Sequence, residues 1–270
     1  MSLSIQGKTA IVTGAARGIG LAIARHFVAA GANVMFADCD EGALEHELGE
    51  DMNGEGAIRG FAGDLGQKLT LANLVSATVD AFDRIDILVN AHRMVQPCDP
   101  MMVGEDLLGD MLRENMISGL RLTQMVAKRM VAQAEEDRDD ELLQHGAIVN
   151  VSSLAANWPT PKMLAYSISS AAQAQATRSL AAALAPKRIR VNGVAFASIM
   201  SNLVQEKLRE DADLRDRIIA ATPLGRIAQA DELAATVQFL ASDASSFITG
   251  QILSVDGGRS LGDPLAPSVF

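Results

Sequence analysis

Cysteines and basic residues are both scarce in this sequence. Its two cysteines, Cys39 and Cys98, are too few for a disulfide framework and fit a reducing cytoplasm. Lys and Arg number 23 against 33 Asp and Glu, and the net charge of −10 argues against a nucleic-acid or anionic-membrane surface as the main partner. No apolar run approaches the roughly 20 residues that span a bilayer. The first apolar run begins at Thr9 and predicts a strand, so no signal peptide is expected.

Short apolar runs alternate with longer helical patterns along the chain. The runs are rich in Val and Ile, and they are typical of strands buried on both faces of a parallel sheet. They cover 9–13, 33–37, 57–61, 85–89, 147–151, 190–194 and 252–255. Helical patterns cover 18–30, 41–50, 67–82, 105–134, 164–184, 202–220 and 230–241. The alternation predicts one α/β domain over residues 1–270, with a doubly wound parallel sheet of about seven strands in a three-layer sandwich.

A glycine-rich turn follows the first predicted strand. Residues 13–20 read Thr-Gly-Ala-Ala-Arg-Gly-Ile-Gly and lead directly into a helical pattern. Glycines permit such a turn and let a pyrophosphate approach the main chain, while the start of the helix offers free N–H groups. In this position the motif predicts a Rossmann-type dinucleotide site; the alternative is a purely structural turn. The predicted contacts in the turn are Gly14, Arg17, Gly18, Ile19 and Gly20.

Asp38 lies at the end of the second predicted strand, about 20 residues beyond the glycines. A carboxylate in this position bonds the adenosine ribose hydroxyls and repels a 2′-phosphate, so it predicts NAD in preference to NADP. Arg17 could counter that preference. The alternative is that Asp38 or Asp40 caps a helix without touching a ligand.

The motifs, taken in order, resemble those of the short-chain dehydrogenase/reductase (SDR) family over residues 5–260. The glycine turn matches the family's TGxxxGxG, and Tyr166 follows Ser153 at the usual spacing of serine and tyrosine. Further matches are Asp64-Leu65 after the third strand, Asn90-Ala91 after the fourth, Asn115 in the next helix, and the segments 148–153, 239–243 and 249–258.

The resemblance implies roles for the matched residues. It makes Ser153 the residue that holds the substrate oxygen, Tyr166 the one that exchanges a proton, and Asn115 the support of a water chain. It adds four residues to the cofactor site: Asp64, Leu65, Asn90 and Ala91. It also implies a homotetramer, with interfaces from the helices at 105–134 and 164–184, and a substrate lid near 198–223. No metal site is predicted.

Three positions depart from the family's pattern. The lysine of YxxxK is replaced by Ser170, the glycine of Asn-Ala-Gly by His92, and the proline after the sixth strand by Phe196. In the family all three positions lie beside the nicotinamide half of the cofactor. His92 is either a proton carrier or a packed loop residue. Lys162 would have to swing in from a loop to replace the lost charge.

The lost lysine bears on the chemistry of Tyr166. Free tyrosine is ionised to about one part in a thousand at pH 7. A cation one helical turn away favours the tyrosinate by roughly 3 kcal/mol at an effective dielectric near 20. Ser170 brings no charge, so the sequence predicts a poorer base and a less firmly held nicotinamide ribose.

Three functions fit these observations. The first is an NAD-dependent oxidoreductase for a secondary alcohol or ketone, with an altered proton relay. The second is a catalytically silent dinucleotide-binding protein or partner subunit. The third is a non-redox lyase or isomerase on the same fold. The sequence does not name the small-molecule substrate.

From the sequence alone, Ser170→Lys is expected to raise alcohol oxidation at neutral pH and to move its pH optimum down. The reason is that the variant restores a charge one turn from Tyr166 on the same helix face. The rescue should be partial, because the altered loop remains. NADH formation from pH 7 to 10 tests this, and brisk turnover of the unmodified protein at pH 7 would mean that another group already does the work.

Overall fold

A parallel sheet of seven strands forms the centre of the computed structural model, which describes residues 2–101, 107–137, 144–158 and 161–261. The strands are β1 (Thr9–Thr13), β2 (Asn33–Asp38), β3 (Ile58–Ala62), β4 (Ile87–Asn90), β5 (Gly146–Ser153), β6 (Ile189–Phe196) and β7 (Ile252–Val255). Their order across the sheet is β3-β2-β1-β4-β5-β6-β7, and every neighbouring pair is parallel. This order confirms the predicted doubly wound α/β fold.

Helices cover both faces of the sheet. They are α1 (Gly18–Ala29), α2 (Glu41–Leu48), α3 (Lys68–Phe82), α4 (Leu107–Leu112), α5 (Ser118–Asp137), α6 (Leu164–Leu184), α7 (Asn202–Glu210), α8 (Leu214–Ala220) and α9 (Ala230–Ala241). Alternate strand residues face opposite layers, as the pleat requires. In β1, Ala10 and Val12 join the core formed with α1, α2 and α9, whereas Ile11 joins the core formed with α3, α5 and α6. The predicted three-layer sandwich is confirmed.

The inner strands explain why the sequence shows continuous apolar runs. All residues of β1, β4 and β6 are buried, while the edge strands β3 and β7 are only half-buried. Burial on both faces removes the alternation that a one-sided sheet would show. Among the described helices, none is both long and apolar enough to cross a membrane.

The helical pattern at 105–134 is not continuous in the structure. Positions 105 and 106 lie outside the described residues, and a π-helical turn at Arg113–Ile117 separates α4 from α5. A π turn inserts one residue into a helix and changes the direction of the side chains that follow. The periodicity of the apolar residues did not reveal it, because both parts keep an apolar face toward the core.

The carboxyl ends of four of the five inner strands bring chemically distinctive residues to one edge of the sheet. Thr13, Asn90, Ser153 and Phe196 are the last residues of β1, β4, β5 and β6, and Ser153 is paired in register with Phe196. Open parallel sheets bind ligands at this edge, where the helix starts and the loops converge.

Candidate active site

The turn between β1 and α1 has the geometry of an anion cradle. Gly18 begins α1 with φ of 61°, a conformation that side chains with a Cβ rarely adopt, and space is open where its Cβ would point. A Cβ on Gly20 would overlap the carbonyl oxygen of Gly14, so α1 packs closely on the turn. Arg17 precedes the helix without a side-chain cap. The first N–H groups of α1 are therefore left for a ligand such as a pyrophosphate.

Asp38 fastens this turn to the end of β2. Its carboxylate accepts hydrogen bonds from the N–H of Ala16 and the N–H of Asp40, both at 3.0 Å. The cap of α2 is Asp40, which accepts from the N–H of Ala43 at 2.9 Å and forms an exposed ion pair with Arg17. Of the two carboxylates, Asp38 is thus the one that is not used as a helix cap.

Asp64 and Leu65 follow β3 but differ in exposure. Asp64 is exposed, and it accepts from the N–H of Gly66 at 2.8 Å and from the side chain of Gln67 at 3.1 Å. Leu65 is buried in the core beside α3. Of the pair, the carboxylate is the group within reach of a ligand.

Asn90 belongs to a buried amide network. Its Nδ2 donates to Thr123 at 3.1 Å and to Asn150 at 2.8 Å, and Asn150 donates to Thr177 at 2.8 Å. These bonds connect β4 and β5 to α5 and α6. The Asn90 side chain therefore acts in the interior of the protein, and the neighbouring Ala91 is buried as well.

His92 is enclosed between β1 and α5. Its Nδ1 lies 2.6 Å from the hydroxyl of Thr13, and its Nε2 lies 2.7 Å from the hydroxyl of Ser118, which donates to the carbonyl of Glu114 at 2.7 Å. A neutral ring protonated on Nε2 satisfies this chain of bonds. Burial lowers the pKa of His92 to about 4. With both nitrogens bound and no charge at neutral pH, His92 has the environment of a packed residue.

Asn115 lies in the π turn and holds the loop after β4. Its Oδ1 accepts from the N–H of Met94 at 2.6 Å, and its Nδ2 donates to the carbonyl of the same residue at 3.0 Å. The Nδ2 also donates to Ser169 on α6 at 3.0 Å, whose hydroxyl donates to the carbonyl of Tyr166 at 3.0 Å. Asn115 thereby links the loop, the π turn and α6.

Tyr166 and Ser153 come from adjacent elements. Tyr166 is 7% exposed on the first turn of α6 and packs with Met111, Met94 and Ala155. Ala155 is in the short turn after Ser153, which caps that turn by accepting from the N–H of Ala155 at 3.2 Å. The structure thus brings the surroundings of the serine and the tyrosine together at the carboxyl edge.

Ser170 and Lys162 occupy very different environments. Ser170 is 4% exposed on α6, one helical turn beyond Tyr166, and its carbonyl accepts a long bond from Ser152 at 3.5 Å. Lys162 is exposed and precedes α6, with φ of 67° and its carbonyl bound to the N–H of Cys98 at 2.7 Å. Lys162 does not lie on the helix that carries Tyr166.

Arg93 is a site residue that the sequence reasoning missed. Its guanidinium carbon lies 4.3 Å from the centre of the Phe196 ring, and its Nη1 is buried with no hydrogen-bond partner among the described residues. Burial lowers the pKa of Arg93, and the charge of Tyr166 opposes that fall. The available signal was a basic residue directly after the Asn-Ala-His segment at the end of the fourth strand.

Comparisons with known proteins identify the family of this chain. A family model described as enoyl-(acyl carrier protein) reductase matches residues 14–260. The 3-oxoacyl-(acyl-carrier-protein) reductase FabG of Thermotoga maritima is 32% identical over 95% of this chain and 99% of its own length. The chain belongs to the short-chain dehydrogenase/reductase family. Its members bind a nicotinamide dinucleotide, and its relatives here are oxidoreductases.

Two solved SDR structures carry different cofactors. A 7α-hydroxysteroid dehydrogenase with NADH and 7-oxo glycochenodeoxycholic acid has a TM-score of 0.84 and 31% identity, covering 95% of both chains. A gluconate 5-dehydrogenase from Burkholderia cenocepacia with NADP and tartrate has a TM-score of 0.85 and 28% identity, covering 97% of this chain and 98% of its own. Both nicotinamide cofactors therefore occur among the relatives of this SDR protein.

Replacing His92 should make stability less sensitive to acid. The folded pKa of about 4 lies below the ordinary 6.5, so the unfolded chain binds more protons as the pH falls between these values. As the pH falls through this range, His92 should thus lower the free energy of unfolding by up to about 3 kcal/mol. Urea unfolding at pH 7 and pH 4 measures this loss, which should be smaller in His92→Gln.

The matched control is His46→Gln, which removes an exposed histidine from the end of α2. It should leave the loss between pH 7 and pH 4 unchanged. Equal losses in the unmodified protein and in His92→Gln would show that His92 is not held neutral.

Proposed function

We propose that this SDR protein is an NAD-dependent oxidoreductase that interconverts a secondary alcohol and a ketone. The observation that supports this most is the meeting of the glycine turn, Ser153 and the surroundings of Tyr166 at the carboxyl edge of the sheet. The anion cradle at the start of α1 fits the pyrophosphate of a dinucleotide.

In the direction of alcohol oxidation, the hydroxyl of Ser153 bonds the substrate oxygen. Tyr166 takes the hydroxyl proton as the carbonyl forms, and it returns that proton to solvent after turnover. Asn115 contributes by holding the loop at Met94 and α6 at Ser169. When bound, NAD supplies the acceptor for the hydride that leaves the substrate carbon.

The proposed cofactor contacts divide between the adenine and the nicotinamide halves. Asp38 would bond the adenosine ribose, and Asp64 would lie near the adenine. The full proposed set is Gly14, Arg17, Gly18, Ile19, Gly20, Asp38, Asp64, Leu65, Asn90 and Ala91. Within it, the side chains of Ile19, Leu65, Asn90 and Ala91 are buried, so these residues would act by shaping the site or through their main chain.

The surroundings of the site are part of the proposal. Residues 198–223, which include α7 and α8, would form a lid over the substrate within a single domain. The chain would assemble as a homotetramer through the faces of α5 and α6. Its two cysteines are both free, which supports a place in the reducing cytoplasm.

Tyr166→Phe should lower NAD-dependent oxidation by about a hundredfold or more, because it removes the group that exchanges the proton. Calorimetry measures the binding of NAD, and NADH formation with a panel of secondary alcohols measures turnover. Ser179→Ala, which removes an exposed hydroxyl from the same helix, should leave turnover unchanged. Binding of NAD without turnover of any alcohol would contradict the proposal and favour a silent binding protein.

NAD should bind at least about tenfold more tightly than NADP, because the Asp38 carboxylate would repel a 2′-phosphate. Asp38→Ala should reduce this difference in affinity, because it should weaken the binding of NAD and strengthen the binding of NADP. Arg17→Gln serves as the companion variant, since it should weaken the binding of NADP more than the binding of NAD. Calorimetric dissociation constants test this, and equal affinities in the unmodified protein would refute the preference.

A further inference from the structure

Arg93 carries a guanidinium that lacks a polar partner within the described residues. The residue is half-buried, and its Nη1 is fully buried with no hydrogen bond to any of them. The ion pairs of the described chain do not include it either. A buried charged donor without a partner costs free energy, because it has lost water and gained nothing in return. A bound anion would supply the missing partner.

The ring of Phe196 covers one face of this guanidinium. The guanidinium carbon lies 4.3 Å from the centre of the ring, the arrangement in which a planar cation is attracted to an aromatic face. The stacking uses the face of the group and leaves its edge, because the N–H groups of arginine lie in the plane of the guanidinium. Two parallel N–H groups on that edge match the two oxygens of a carboxylate.

The side chain of Arg93 brings this charge from the loop after β4 to the end of β6. Its backbone follows Asn90, the last residue of β4, whereas its guanidinium lies over Phe196, the last residue of β6. Between these strands lies β5, whose last residue, Ser153, is the register partner of Phe196. Neighbouring strands are about 4.8 Å apart, so one small molecule can reach both Ser153 and the guanidinium.

The backbone of Arg93 is anchored on both sides. The ring of His92, which precedes it, is bonded at both nitrogens. Met94, which follows it, is held at its N–H and its carbonyl by the side chain of Asn115. With the backbone fixed and the side chain aligned on Phe196, little conformational freedom is left to lose when a ligand binds.

The phosphates of a dinucleotide are accounted for elsewhere on the sheet edge. The anion cradle at the start of α1 follows β1, and β1 is separated from β6 by β4 and β5. Three strand spacings amount to roughly 14 Å. The nicotinamide half of NAD bears no anionic group beyond these phosphates. An anion at Arg93 would therefore belong to the substrate.

We infer that Arg93 binds a carboxylate of the substrate, so that the alcohol or ketone on which the protein acts is a hydroxy acid or a keto acid. This assignment rests on the proposed function, in which Ser153 bonds the reacting oxygen of the same molecule. Arginine suits the place better than lysine, because its guanidinium binds a carboxylate through two hydrogen bonds and stacks on an aromatic ring. Phe196 is the positioning residue for that guanidinium.

The inference is tested by calorimetry with lactate, 3-hydroxybutanoate and 4-hydroxypentanoate, each measured beside its neutral methyl ester. The three acids place the carboxylate at increasing distances from the hydroxyl. The titrations are made with and without saturating NADH, which cannot react with a hydroxy acid because both are reduced. At least one acid should bind about tenfold or more tightly than its ester, because hydrogen bonds between charged groups are the stronger kind.

Arg93→Gln should remove this preference by weakening the binding of the acid about tenfold, while the binding of the ester stays unchanged. Arg93→Lys should keep part of the preference, because it retains the charge but not the two parallel N–H groups. The matched control is Arg59→Gln, which removes another guanidinium stacked on a phenylalanine, at 5.5 Å from Phe82. It should leave both affinities unchanged. Circular dichroism verifies that the variants remain folded.

Three results would overturn the inference. The first is equal binding of every acid and its ester by the unmodified protein. The second is a preference for the acid that persists in Arg93→Gln. The third is a loss of NADH affinity in Arg93→Gln with the preference for the acid intact, since the anion would then belong to the cofactor.

The same titrations separate this inference from the proposed oxidoreductase activity. A preference for the acid that depends on Arg93, in a protein that forms no NADH from NAD and any of the three acids, would support the carboxylate site and count against the activity. Where turnover is present, Arg93→Gln should raise KM for the acid and leave kcat for the ester unchanged. That difference is expected of a group that binds the substrate and takes no part in the proton transfer.

Discussion

The loop after β4 is held by partly buried hydrogen bonds on both sides, and the arrangement of the site depends on it. Thr13 and Ser118 bind the ring of His92, and Asn115 binds the backbone of Met94. The backbone of His92 also lies against Gly14, so the loop and the glycine turn limit each other's position. Breaking one of these bonds would leave a buried polar group unpaired, which costs more than the bond itself contributes.

The buried amide side chains of the sheet also hold the site in place, from the interior below the loop after β4. Asn90 and Asn150 join neighbouring strands, and through Thr123 and Thr177 they join α5, which follows the π turn of Asn115, and α6, which carries Tyr166. Asn90 Oδ1 is buried without a hydrogen-bond partner among the described residues, but the remaining bonds still restrict how the strands and helices can be arranged. The elements that carry the proposed catalytic groups are therefore connected beneath the site as well as within it.

Three positions singled out from the sequence, His92, Ser170 and Phe196, lie near one another in the structure, around Tyr166. His92 fills its place between Thr13 and Ser118 with a neutral ring that is hydrogen-bonded at both nitrogens. Phe196 provides the surface on which Arg93 stacks. Tyr166 is thus surrounded by one connected environment. It consists of α6, which contains no lysine, the loop after β4 with the enclosed His92, and β6, which ends in Phe196.

The sequence by itself determined the layered α/β fold, most strand limits, the glycine turn and the family. These features depend on local patterns: continuous apolar runs for buried strands, glycines between a strand and a helix, and motifs in a fixed order. Only the tertiary structure decided that His92 is packed, that the helix beyond position 107 is broken at Asn115, and that Arg93 lies over Phe196. The physical reason is that a side chain's charge and partners depend on burial and on residues distant in sequence, which no local pattern records.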